Sequence, residues 1–281
     1  MLTRVRWLLA LALVGGCGFS VPSHQTDAAI DTRDAPPDTI VVKWTVDATS
    51  GKAVPANVVE WNDFLKAYGL GHLSAPTGLW LLQEPSGALV DSVGTVVLSP
   101  FGGPFYQQPV VGWSRKGVGT VDGQPAGFKN DTDASLPSVR LSSMTVLALM
   151  ELPAPAPVLA RNVLVVGSSN PAAYIHVDLE PSRRFSESTA GSTATGAMDP
   201  GTAAAGIMLK HDVTNSQQKV ITRKETFSMP FTQLLASRGL FIGGGAAQAP
   251  LGRWLYLAAW YGPKAEISDA DAAKLMTSLG W

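Results

Sequence analysis

The sequence predicts an all-β sandwich with a short helix near its amino terminus and another at its carboxy terminus. Two observations carry this expectation. The chain holds 28 Gly and 20 Pro while only 15% of its residues are charged, a balance that suits short strands joined by tight turns. Beyond Pro76, the apolar runs GLWLLQE, GTVVLS, MTVLALME, RNVLVVG, AYIHVDLE, AAGIMLKHDV, GLFIGGG and GRWLYLAAWYG are punctuated by Gly, Pro, Asn and Asp. A length of 281 residues leaves one large core of this class once a leader and a tether are set aside.

Residues 1–16 have the pattern of an export signal, with Arg4 and Arg6 ahead of the apolar run Trp7–Val14 and small residues after it. That run is well short of the roughly 20 apolar residues a spanning helix needs. Val14-Gly15-Gly16-Cys17, preceded by Leu13, resembles the bacterial lipobox. The resemblance implies a lipoprotein signal peptide over 1–16, a diacylglycerol thioether on Cys17, and attachment to the membrane through lipid. Gly18 stands where an Asp would imply retention in the inner membrane, so the same resemblance implies sorting to the outer membrane. Cys17 is the chain's one cysteine, which excludes an internal disulfide and a Cys-x-x-Cys pair. After it, residues 17–38 form an acidic, Pro-containing tether with Asp27, Asp31, Asp34 and Asp38 spread along it.

Residues 39–75 are a lead-in. Thr39–Asp47 is β-branched and alternating enough for a strand, and Asn57-Val58-Val59-Glu60 is a capping box opening a short helix that Gly69 closes. Residues 76–281 form the sandwich, within which the small-residue stretch from Ser188 to Gly206 is expected to be a mobile loop. Its last element is a helix from Ser268 to Leu279, capped by Ser268 with Asp271 three residues on and stopped at Gly280.

Charge is nearly balanced, with Lys+Arg 21 against Asp+Glu 22, and no basic block exists to neutralise a run of phosphates, so nucleic acid is excluded as a partner. His24, His72, His176 and His211 are scattered without metal-ligand spacing. No G-x-S-x-G elbow, Walker sequence or G-x-G-x-x-G is present. Two patterns remain. In His176-Val177-Asp178-Leu179-Glu180, alternation puts His176, Asp178 and Glu180 on one strand face. In the run 254–261, the same rule puts Trp254, Tyr256 and Trp260 on one face and Leu255, Leu257 and Tyr261 on the other. Those aromatic rings suit either stacking on sugars or packing in a strand buried on both sides.

Trp80, Glu84, Ser86 and Gly87, followed by Asp91, Ser92 and Gly94, fit a W-x-x-x-E-x-S-G…D-S-x-G pattern. Near the end, Leu240–Gly244, Gly252–Leu257 and Glu266–Ala270 fit an ending of two strands and a helix. Both blocks resemble bacterial laminin G-like, or concanavalin A-like lectin/glucanase, domains, and the likeness extends over about Pro76 to Trp281. It implies a jelly-roll β-sandwich. Calcium is common in laminin G-like relatives, and Asp91, Asp131 and Asp133 are the donors the resemblance would offer here. Laminarinase-type members carry a strand E-x-D-x-E whose outer glutamates act as nucleophile and acid/base. Here His176 occupies the first position, and imidazole cannot form and release a glycosyl ester, so only Asp178 and Glu180 would remain for acid/base work. The expected function is therefore a non-catalytic module on a cell-envelope lipoprotein that recognises a glycan or a surface protein. A divergent glycan hydrolase and a purely structural envelope protein are the alternatives.

Overall fold

A computed structural model describes residues 43–281 apart from 121–124, 131–135, 137, 139–141, 152–158, 160, 168–173, 180–184, 190–191, 196–203, 231–237 and 244–251. Cys17 and the rest of the leader and tether therefore lie outside the described residues, as do Asp131, Asp133 and Glu180.

In chain order the described elements are α1 (Val58–Ala67), β1 (Gly78–Trp80), β2 (Ser99–Phe101), β3 (Phe105–Pro109), β4 (Lys116–Thr120) and β5 (Gly127–Asn130). There follow β6 (Met144–Glu151), β7 (Arg161–Gly167), β8 (Tyr174–Leu179), β9 (Phe185–Thr189) and β10 (Ser192–Thr195). The chain ends with β11 (Ala204–Asp212), β12 (Gln217–Ile221), β13 (Thr226–Pro230), β14 (Leu240–Gly243), β15 (Gly252–Tyr261) and α2 (Asp269–Leu279). Two antiparallel sheets result. The first has the order β13-β12-β11-β6-β15-β4-β3, with β1 also paired to β15, and the second has the order β10-β9-β8-β7-β14-β5-β2. Their facing sides enclose a core that includes Val146, Ala148 and Leu209 from the first sheet and Leu164, Val177 and Ile242 from the second. Consecutive strands pair in β11–β13, β7–β10 and β3–β4, while β6 lies between β11 and β15 and β14 lies between β7 and β5, so strands distant in the chain meet at the centre of each sheet, as the crossing connections of a jelly roll require.

The outer face of the first sheet is covered as well. Leu147, Leu149, Met208, Tyr256 and Trp260 pack there against α1 and α2. On α1, Trp61, Phe64 and Leu65 recur at helical spacing and are buried. Its start has the N-cap half of the expected box, with Asn57 Oδ1 accepting from Glu60 N at 3.0 Å, while Glu60 reaches past the cap residue and its Oε2 accepts from Ala56 N at 3.0 Å and Thr45 N at 2.6 Å. α2 begins with Ser268 Oγ accepting from Asp271 N at 3.1 Å and ends at Gly280, whose φ of 74° is the left-handed cap that favours glycine.

Several sequence expectations need correction. Within the described part of Thr39–Asp47 there is no strand, only a bridge between Val46 and Ala53, because the chain turns back at once through residues 48–50. The stretch beginning at Ser188 is not simply a loop: β9 runs to Thr189 and β10 follows at Ser192. In GTVVLS only Ser99 belongs to a strand, while Leu98 makes an isolated bridge to Leu89.

Candidate functional site

The motif that carried the family resemblance is a structural clamp. Asp91 Oδ1 accepts three backbone N–H groups, from Leu79 at 2.8 Å, Val93 at 2.9 Å and Gly94 at 2.8 Å, fastening β1 to the turn after it. A Cβ at Gly94 would come within 2.5 Å of Asp91 Oδ2, so glycine is required there by close approach. Trp80 Nε1 donates to Val96 O at 2.9 Å, and Glu84 Oε1 accepts from Val90 N at 2.9 Å. Asp91 is thus 7% exposed and holds the backbone, and among the described residues no group of three or more His, Cys, Asp or Glu side chains is placed to hold a metal ion.

The aromatic residues of β15 form part of the core. The register slips between Trp254 and Tyr256, a β-bulge that reverses the alternation from that point on. Trp254 therefore points between the sheets, while Tyr256 and Trp260 point to the helices, which corrects the expectation that the three share a face. None is more than 1% exposed, so their rings present no stacking surface. Tyr256 sits at the centre of a polar joint: its hydroxyl accepts from Trp61 Nε1 at 2.8 Å and donates to Pro55 O at 2.5 Å, with the Arg115 guanidinium 5.5 Å from its ring centroid. Burial pushes the Tyr256 hydroxyl far above the ordinary tyrosine range, which keeps it protonated.

Two of the three residues that alternation puts on one strand face, His176 and Asp178, do share it, while Glu180 lies outside the described residues. Val177 and Leu179 of β8 point into the core, leaving His176 and Asp178 on the outer side of the second sheet. His176 Nε2 lies 3.0 Å from Asp178 Oδ2, and Asn162 Nδ2 donates to Asp178 Oδ1. Asn162 reaches this position because a register shift in β7 between Asn162 and Leu164 changes the phase of the strand. His176 and Asp178 side chains are 12% and 13% exposed. Opposite His176 stands Val165, then Phe241, then Lys129, whose ammonium is 6.0 Å from the Phe241 ring centroid. In the other direction the ladder continues through Ser188 to Thr193. A His–Asp hydrogen bond orients an imidazole, but retaining glycoside hydrolysis needs two carboxyl groups about 5–5.5 Å apart. The described trio supplies one, already engaged by two partners. Asn162 escaped the sequence reading because the bulge that turns it outward has no local marker.

Such a face and such a topology can be compared with known proteins. No protein-family model matches the chain, and no curated protein matches it in sequence. Among solved structures, a Trypanosoma rangeli sialidase in complex with 2,3-difluorosialic acid is similar at 12% identity and a TM-score of 0.55, over 73% of this chain and 33% of that one. A structure concerned with the dependence of botulinum neurotoxin type C on two ganglioside molecules for cell entry is similar at 9% identity and a TM-score of 0.52, over 74% of this chain and 52% of that one. The fold is a jelly-roll β-sandwich. The chain spans about a third of the sialidase's length, and the likeness is one of fold.

A second concave feature lies beside the start of α2. The turn after β11, Ser143 ahead of β6 and residues 265–268 enclose a cavity of about 280 Å³. On its floor Lys210, only 7% exposed, donates from Nζ to Asp269 Oδ1 at 2.7 Å, and Lys219 binds the other oxygen of the same carboxylate. Burial alone would raise the Asp269 carboxyl, but the two lysines outweigh it and hold the group below its ordinary value. Asp212 at the wall accepts from Asn215 N at 3.0 Å and Asn215 Nδ2 at 2.8 Å. The sequence offered one hint of this site, a lysine inside the apolar run AAGIMLKHDV, and the carboxylate that this lysine binds is 59 positions further along the chain.

Proposed function

We propose that the protein is a cell-envelope lipoprotein, anchored through lipid on Cys17 in the outer membrane, whose jelly roll is a non-catalytic module recognising a glycan. The observation that carries the binding reading is the engagement of Asp178 by both His176 and Asn162 on an outward sheet face. A carboxylate held this way is fixed for recognition and is poorly placed to attack a sugar carbon. The first sheet spends its outer side on α1 and α2, so the reading places recognition on the other side of the second sheet, where His176 and Asp178 stand partly exposed beside the buried Val165 and Phe241. The fold likeness supports a sugar as ligand, since the sialidase is seen with a sialic acid derivative and the toxin is described with gangliosides. The anchor reading rests on the lipobox resemblance around Cys17 and on the acidic tether that follows.

Two experiments test these statements. The chain is incubated with laminarin and mixed-linkage β-glucans while reducing ends are counted; none should accumulate, and turnover that disappears in Glu180→Gln would make the protein a hydrolase. Fatty-acid labelling in cells should be lost in Cys17→Ala, and equal labelling of the variant and the parent would remove the anchor.

A further inference from the structure

We propose that the cavity beside the head of α2 binds one neutral, hydroxyl-rich ring, a single hexopyranose unit at the end of a glycan. This deepens the binding-module reading and rests on it, while placing a ligand away from the His176 face. Size argues first. At about 280 Å³ the cavity falls just under the roughly 300–1,000 Å³ of sites for drug-sized ligands, which is room for one ring and little more.

The polar groups then select the chemistry. Ser143 Oγ accepts from Val213 N at 3.1 Å, which leaves its own O–H to donate. Lys210 commits one hydrogen to Asp269 and has an ammonium's remaining donors to offer. Asn215 spends its amide nitrogen on Asp212, so its carbonyl side is left for a ligand donor. Thr214 and Glu266 stand exposed at the rim and supply a hydroxyl and a carboxylate. The lining thus offers both donors and acceptors, the two kinds of partner that a ring bearing several hydroxyls uses.

Charge decides between neutral and acidic sugars. Lys210 and Lys219 are opposed by Asp212, Glu266 and Asp269, and Asp269 already neutralises both lysines at close range. Two lysines against three carboxylates leave the surroundings net negative, which disfavours an incoming carboxylate.

The test uses the full-length chain and follows backbone amide shifts by NMR during titration with methyl glycosides of glucose, galactose and mannose. Sialyllactose and glucuronate serve as anionic comparisons. The amides of Thr214, Asn215 and Glu266 should move and saturate with at least one neutral glycoside. Thr214→Trp, which fills the entrance from an exposed turn, should weaken that binding at least tenfold with the unfolding midpoint unchanged. Response to the acidic sugars alone, or Thr214→Trp binding as the parent does, would overturn the assignment. Glycan binding that leaves these three amides unmoved would also overturn it while the module reading stands; no binding to any sugar would remove both.

Discussion

Asp47 shows how one side chain joins distant parts of this chain. Its carboxylate accepts from Ser50 N at 2.8 Å within its own turn, and from Ser114 N at 3.0 Å, Ser114 Oγ at 2.6 Å and Arg115 N at 3.0 Å across the fold. Burial by itself would raise the Asp47 carboxyl, but the bonds from Ser114, Ser50 and Arg115 outweigh it and hold the group far below the ordinary Asp value of 3.8. Because the folded value is the depressed one, the unfolded chain takes up the proton first as pH falls. The stabilisation is complete above the ordinary value and declines below it. Asp47→Ala should therefore cost about 2 kcal/mol at neutral pH, since it removes the shared acceptor of several part-buried donors. Urea unfolding at neutral pH and at pH of about 2.5 should show the gap between parent and variant narrowing at the lower pH. A constant gap would mean that the charge is irrelevant. Nothing in the sequence around Asp47 announces this, because the partners at Ser114 and Arg115 lie 67 and 68 residues away.

At the scale of elements, legibility followed locality. Both helices were visible because their caps are short-range patterns: Asn57 with Glu60, and Ser268 with Asp271. Strands with long apolar runs, β6, β11 and β15, were visible for the same reason. Polar strands were not. β9 is FSEST and β10 is STAT, and β3 and β4 are FYQQP and KGVGT, sequences that lack the alternation of a strand with one buried face. The bulge in β15 was equally hidden, since it arises where β15 leaves β4 and takes up pairing with β1 on the same edge. At the head of α2 the cap carries extra weight, as Asp271 also lies 3.0 Å from His72 Nε2 and the neighbouring Asp269 binds two lysines. Ser268→Ala should lower stability by about 1 kcal/mol in thermal or urea unfolding. A loss near zero would show that tertiary contacts alone hold this end of the helix.

The described residues are layered as helices, first sheet and second sheet. The helices commit the outer side of the first sheet to packing, with Trp61 and Trp260 meeting edge to face at 5.5 Å. The proposed reading places recognition on the outer side of the second sheet and in the cavity beside the end of β11 and the head of α2. Of the side chains singled out in the sequence, the structure brings His176 and Asp178 together, sets Asp91 to holding backbone, and buries Trp254, Tyr256 and Trp260. A sequence states which residues alternate, but it does not state which sheet face is later covered by a helix. The central claim is that this jelly roll binds a glycan without cleaving it, and a glycan array probed with the full-length chain tests it most directly. The account predicts retention on a defined set of sugars, with each bound glycan recovered at unchanged mass. Retention on none, or recovery of shortened glycans, would contradict it.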